Sequence, residues 1–336
     1  MKKENVKLTF TENYTYERNY PKISAYTYVF NGEIINAPYI ESIKSVLPIV
    51  DECIILDGMS TDGTYEKLQQ LASENSKIQL YQNEFDMTEP GIDGNMKSFA
   101  RALSSGEYLI QFDCDEFFHE EDIQRYKLIC KKFPKQCDIL HMPIVELWGQ
   151  NGEATGRRHL WKWRISRNKP EITHAINKHA RLTCPKTGKI YAKKGWSDGC
   201  EYCNIITYEP LPHIGFYNEE LEKIRQTQPE RFGLVMNEII KNVPAVYHTS
   251  WFSLENKIKQ LRKGGQWDKM WSLLYQSESE NRFPDCDTDE KVKAMAQKLY
   301  ELGGEESDKI KYKFNLTKAL PKLLIEWAEK IKNNLI

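Results

Sequence analysis

The first third of the chain alternates short apolar runs with stretches of helical spacing. Ile23 to Phe30 (ISAYTYVF) is dense in β-branched and aromatic residues, CIILD at 53–57 is an unbroken apolar run, and KIQLYQ (77–82) and EYLIQFD (107–113) follow the same habit. Runs of that length predict strands of a parallel sheet covered on both faces. Between them, a stretch ending near Leu47, YEKLQQLASEN (65–75) and MKSFARALSSG (96–106) have the spacing of helices. Thr64 or Asp62 is the expected cap of the second, and Gly106 the stop of the third. Strand, helix, strand at this spacing predicts a βαβ sheet with right-handed crossovers. From Asn218 onward Trp, Leu and Ile recur at three and four, which predicts a helical region. Its last helix carries Leu320, Leu323, Leu324, Trp327, Ile331 and Leu335 on one stripe, expected to dock on its own domain rather than on a membrane surface. The expected organisation is an α/β domain over 1–215 and a helical region over 216–336 packed on it.

Composition narrows the picture without deciding it. The chain has 336 residues, 40 % of them apolar, enough for a substantial core, and a formal net charge of -1. Such a balance gives no global pull toward nucleic acid or anionic lipid, so a polyanion would have to meet a local patch. The first eighteen residues are polar, and no window is apolar enough to span a membrane, so a cytoplasmic protein without a transmembrane segment is expected. Eight scattered cysteines then read as reduced thiols. CEYC (200–203) with Cys184 or His179 has part of the spacing of a zinc knuckle, buried thiols being the alternative. Between Arg157 and Lys194 twelve Lys or Arg accompany a single acid, Glu171. That segment is either a site for an anion or a solvated flap. In HLWKWRISR, Trp161 and Trp163 between cations favour a ligand on which an aromatic ring stacks.

Candidate chemistry gathers where the strands end. In a parallel α/β sheet the loops at the carboxyl ends of the strands form the ligand crevice. FNGE after the first strand, DGMSTDGT after the second and DCDEFF after the fourth all fall there and should converge. Alternation along an extended chain sends the carboxylates of Asp113 and Asp115 in different directions. Oxygen donors suit Mg2+ or Mn2+, ions usually held by one or two carboxylates plus substrate phosphates. An acidic surface turn is the competing reading.

The order of these features resembles a known family. VFNGE (29–33), DECIILDGMSTDGTYEKL (51–68) and KSFARALSSGEYLIQFDCDEFF (97–118) are similar to the donor half of family-2 glycosyltransferases of the GT-A fold, in particular the lipopolysaccharide-core-like branch. The resemblance covers about residues 22 to 120. It implies a GT-A, Rossmann-like mixed sheet flanked by helices, with the helical C-terminal region beyond it. It implies, too, that Asn31 and Glu33 sit beside the nucleotide, that Asp57 faces the base, and that Asp113 and Asp115 hold the metal-bound diphosphate of a nucleotide sugar. Gly32 separates Asn31 from Glu33 where the family has them adjacent, and Lys97-Ser98 replaces the usual Arg-Asn, with Lys97 still able to meet a phosphate. VYHTSW around His248 is similar to the segment that in some members completes the metal site or touches the diphosphate; the segment around His213 is a poorer match. The implied activity is inverting, metal-dependent transfer from a nucleotide-sugar donor, a UDP-sugar first, to a hydroxyl of a glycan, lipid-linked or other anionic acceptor, with nucleic acid not favoured. Such a displacement needs a carboxylate to take the acceptor proton, and Asp198 in GWSDGCEY comes first, Glu171 second. A nucleotidyltransferase would favour a Gly-rich phosphate loop that FNGEIINAP lacks. A non-catalytic sugar- or nucleic-acid-binding module is the reading from another class.

Overall fold

The computed structural model of the chain describes residues 20–86, 92–133, 138–149, 153–155, 161–170, 172–174, 182–183, 207–208, 224, 227–265, 268, 282–302 and 313–333. Its first half runs β1 (Ile23–Val29), α1 (Tyr39–Val46), β2 (Glu52–Asp57), α2 (Thr64–Glu74), β3 (Ile78–Gln82), α3 (Ile92–Leu103), β4 (Tyr108–Gln111), β5 (Glu116–Phe118), α4 (Ile123–Lys131), β6 (Ile139–Trp148), β7 (Glu153–Thr155) and β8 (Trp161–Arg167). Short strands β9 (Thr173–His174), β10 (Leu182–Thr183) and β11 (Thr207–Tyr208) follow. The last third holds α5 (Pro229–Asn242), β12 (Val246–Trp251), α6 (Leu254–Leu261), α7 (Asp289–Leu302), β13 (Lys313–Phe314) and α8 (Lys322–Lys332). No helix among the described residues is long and apolar enough to cross a membrane.

The main sheet has the order β13-β7-β6-β8-β4-β1-β2-β3, with β11 added on β6 and β12 paired to both β5 and β6. Strands β3, β2, β1 and β4 are parallel, as the unbroken apolar runs require. β8 lies antiparallel to both β4 and β6 and turns the parallel half into a mixed sheet. The GT-A-type architecture expected from sequence is therefore present: a central, mostly parallel sheet flanked by helices.

Strand alternation sorts the parallel half into two cores. Ala25, Val29, Cys53, Ile55 and Ile110 pack toward α1, α2 and α4, whereas Tyr26, Ile54, Leu56 and Leu109 pack toward Ile92, Met96 and Ala100 of α3. The N-cap position of α2 falls to Gly63, in the left-handed region at φ 93°, and neither Thr64 nor Asp62 occupies it; Asp62, just before it, accepts at Oδ1 from the Thr64 backbone N–H at 3.2 Å and from the Thr64 hydroxyl at 2.6 Å. α3 already ends at Leu103. Gly106 serves a different purpose, because a Cβ there would stand 2.6 Å from the Ser24 backbone nitrogen, and only glycine lets the turn pass so close to β1.

One difference from the sequence expectation matters for the site. Among the described residues after Asn218 the regular elements are helices except for β12 and the short β13. VYHTSW enters the sheet because its β-branched and aromatic residues alternate, and both of its faces are buried. Val246 stands opposite Phe118 and Ile144, Tyr247 opposite Phe117 and Val145, and His248 opposite Glu116 and Glu146. Residues in register share a face, so Val246, Phe118 and Ile144 join the first core while Tyr247, Phe117 and Val145 face the other way. That other face is covered by α8 through Leu324 and Trp327, the Trp327 ring lying 6.3 Å from Phe117 and 5.3 Å from Phe252. The apolar stripe of the last helix is thus a docking stripe; Leu335 lies outside the described residues. The expected boundary near residue 215 also lies outside them. Truncating Trp327 to Ala should lower the unfolding free energy by about 3–5 kcal/mol in a urea titration; an unmoved midpoint would show that α8 contributes nothing to the core.

Candidate active site

The site is built on the turn that joins β4 to β5. The chain reverses through Phe112–Asp115, and the turn is tied from its own ends: the Glu116 N–H donates to the Asp113 carbonyl at 3.0 Å, and the Asp113 N–H to Glu116 Oε2 at 3.1 Å. Neighbouring elements hold it as well. Ser42 of α1 donates its hydroxyl to the Glu116 carbonyl at 2.6 Å, and Thr249 of β12 donates both its N–H and its hydroxyl to the Asp115 carbonyl at 2.9 Å. The two aspartates diverge because the chain turns between them, Asp113 toward α3 and β8, Asp115 toward β12; strict alternation would have put residues two apart on one face.

Asp113 meets three cations. Lys97 Nζ lies 3.0 Å from its Oδ1, and Arg164 and Lys162 approach Oδ2 at 3.0 and 3.5 Å. Lys97 is held from behind by Asp93 at 3.1 Å, one helical turn away, and Asp93 in turn accepts from the Tyr28 hydroxyl at 2.7 Å. Burial alone would raise the Asp113 carboxyl, yet Lys97, Arg164 and Lys162 outweigh it and hold the group well below the usual carboxylate range. Glu116 has no exposed side-chain surface and is matched by Arg164 and by Lys162 at 3.1 Å. These two cations come from the basic segment, whose residues 161–167 form strand β8 rather than a flap. Lys162 and Arg164 share one face of it. Trp163 points to the other and is buried, its ring 4.5 Å from that of His174, so it offers nothing for a ligand to stack on. Of Trp161 only the backbone is described. Arg167 and Lys169 pair with Asp138.

Asp115 meets a histidine. His248 Nε2 lies 3.3 Å from Asp115 Oδ2, and His248 Nδ1 lies 3.4 Å from Oε1 of the buried Glu146. Burial and the Lys162 ammonium lower the imidazole pKa; Asp115 and Glu146 prevail and bring it to about 9. Asp115 is itself lowered, burial being outweighed chiefly by His248. Among the described residues no group of three His, Cys, Asp or Glu side chains forms a ready metal cage.

At the ends of β1 and β2 a second part of the crevice takes shape. Asp57 is fully buried; its Oδ2 accepts from the Ser60 N–H at 3.1 Å and from Gln82 Nε2 at 3.0 Å, while Oδ1 has no partner. Asn31 Oδ1 accepts from the Thr61 N–H at 3.0 Å and the Asn31 N–H donates to Ser60 Oγ at 2.9 Å, so the two loops are latched together. Glu33 is engaged within the fold at both oxygens, by the Tyr39 hydroxyl at 2.7 Å and by Lys67 at 2.6 Å. Asp198, Glu171, His179, His213, Cys184, Cys200 and Cys203 lie outside the described residues. Lys162, Arg164 and Glu146 were not singled out from sequence. The alternation Lys-Trp-Arg in a strand-like run was the available signal for the first two, and Glu146 had none, because only the pairing of β6 with β12 brings it to His248.

The family model described as Glycosyl transferase family 2 matches residues 28–184, a little under half of the chain. That span holds both loops, the β4–β5 turn and β8, and its class of enzyme is a glycosyltransferase. No curated protein sequence matches the chain. Among solved structures, the chain is similar to TarS 1-349 from S. aureus at 15 % identity, covering 85 % of this chain and 82 % of that one with a TM-score of 0.33. A mannosyltransferase from Pyrobaculum calidifontis, in complex with GDP-Man and Mn2+, shares 16 % identity over 45 % of each chain at a TM-score of 0.33, so less than half of that protein's length is spanned. A glucosyl-3-phosphoglycerate synthase from Mycobacterium tuberculosis, in complex with Mn2+, UDP and phosphoglyceric acid, shares 18 % over 38 % of this chain and 43 % of its own at a TM-score of 0.28.

Two outcomes follow from the electrostatics. Arg164→Met leaves the buried Glu116 short of its main partner and should cost about 3–5 kcal/mol, whereas Lys162→Ala leaves Glu116 paired with Arg164 and should cost less; equal costs in urea titrations would contradict the assigned division. With its pKa raised from 6.5 to about 9, His248 adds stability that is complete below pH 6.5 and is lost as pH rises through 9. The thermal midpoint of the chelator-treated protein should fall across that window, and His248→Gln should flatten the fall.

Proposed function

We propose that the chain transfers a sugar from a nucleoside-diphosphate donor to an acceptor hydroxyl in one inverting displacement, with Mn2+ or Mg2+ as cofactor. The observation that carries this is the Asp115 Oδ2 and His248 Nε2 pair, 3.3 Å apart at the carboxyl edge of the sheet, next to a carboxylate already ringed by cations. Adjacent donor atoms on an octahedral ion with bonds of about 2.1 Å stand about 3 Å apart, so these two residues fit such an ion, with diphosphate oxygens and water as the remaining donors. When bound, the ion offsets the negative charge that grows on the departing diphosphate.

The chain's own residues do the rest. Asp113, expected from sequence as a further ligand, here holds Lys97 and Lys162 at the rim, where each can exchange a carboxylate oxygen for a phosphate oxygen. Arg164 remains with Glu116 and keeps the turn in place. Asp57, expected to face the base, is buried with its Oδ1 unpartnered; a UDP-sugar is the donor assigned from sequence, and Asn31 fixes the loop beside it. Glu33 braces that loop through Tyr39 and Lys67. The acceptor proton goes to Asp198 in the first instance and to Glu171 in the second, both assigned from sequence. The acceptor is a hydroxyl on a glycan, lipid-linked or other anionic molecule, and the setting is the cytoplasm. The α/β region and the helical region, divided near residue 215, act as one body through β12.

Mn2+ and UDP added together should raise the thermal midpoint more than either alone. Asp115→Ala should reduce donor turnover by about 100-fold or more while its circular dichroism matches the wild type. Wild-type turnover in that variant, under a screen of nucleotide sugars, would refute the role given to Asp115.

A further inference from the structure

The Asp115–His248 pair has a third member that the proposed reaction does not use. Glu146 sits in the middle of β6, is 3 % exposed, and stands in register with His248 across the β6–β12 ladder. Its neighbours on the same face of the strand are Ile144 and Trp148, both buried. A carboxylate at such a place carries a large desolvation cost and is retained only against a compensating partner. One partner of Glu146 is the imidazole: Oε1 stands 3.4 Å from Nδ1, while Nε2 on the opposite side of the ring is turned to Asp115. The order is carboxylate, imidazole, carboxylate, from the interior of the sheet outward to the crevice.

A neutral imidazole can give a lone pair to a cation at one nitrogen only if the proton stays on the other. The group that accepts that proton sets both the tautomer and the ring plane. Among the contacts described for the ring, Nδ1 faces the Glu146 carboxylate, whereas Lys162 is a donor and cannot take that proton. We infer that Glu146 is a positioning residue for the divalent ion: its carboxylate accepts the Nδ1–H of His248 and thereby presents Nε2 to the ion shared with Asp115. The 3.4 Å separation is that of an ion pair rather than of a well-aligned hydrogen bond, and it shortens when the ring takes up its ligand. This inference rests on the metal site proposed above.

The test is Mn2+ affinity, read by electron paramagnetic resonance on the full chain in the presence of UDP, with no turnover involved. Glu146→Leu should weaken Mn2+ binding about 10- to 100-fold, and Glu146→Gln, which keeps an acceptor oxygen, should recover most of the loss. Wild-type affinity in the Leu variant, or a Gln variant no better than Leu, overturns the inference. Should the Leu variant fail to fold, nitrogen-15 histidine spectra of the wild type with Mg2+ and UDP decide the matter. Protonated Nδ1 with unprotonated Nε2 at His248 is expected, and the opposite tautomer overturns the assignment. If the wild type binds no Mn2+ with UDP, the site reading itself fails and this inference falls with it; if only the Glu146 substitutions are silent, the site reading stands without it.

Discussion

Glu116 opens strand β5 with no exposed side-chain surface, at a place where a lone carboxylate would be intolerable. It is held there by the guanidinium of Arg164, which reaches it from β8 and also touches Asp113 and Gln111. Breaking such a buried pair costs several kcal/mol because one charge is left without a partner. The consequence is geometric. The pair fixes how β8 lies against β4, which way the β4–β5 turn reverses, and where Asp113 presents its carboxylate. A site made of loops alone would lack that anchor.

Strand alternation carries the constraint across the molecule. The same period of two that separates the α3 core from the α1, α2 and α4 core also lifts polar residues to the carboxyl edge wherever a strand passes out of the apolar layer. β12 is the clearest case. Val246 and Tyr247 feed two different cores, and the next residue, His248, arrives at the edge between Glu116 and Glu146. The C-terminal region thus contributes to the crevice through a strand.

The two aspartates of one triplet come to occupy unlike environments. Asp113 is neutralised by fixed side chains of α3 and β8, and Asp115 by an imidazole backed by a second carboxylate. Charges arranged in advance around a place where new charge will develop lower the reorganisation that a reaction demands. Under the proposed function, a diphosphate at this edge would meet cations already aligned, with the carboxylates that align them behind it.

By itself the sequence determined the local elements of the parallel half and brought out the acids at the ends of its apolar runs, because both depend on periods of two and 3.6 and on where those runs stop. CIILD is β2 within one residue, and DCDE is the turn that the two carboxylates leave in different directions. Asp113, Asp115 and His248 were legible as candidates, the last only through its similar neighbours. What the sequence did not determine was which cation meets which acid. Lys162 and Arg164 are 46 to 51 residues from their partners, and Glu146 lies about a hundred from His248. Those meetings depend on strand register and on β12 entering the sheet between β5 and β6, and register is decided by which side chains the two cores accept, a property of the packed molecule and not of any segment.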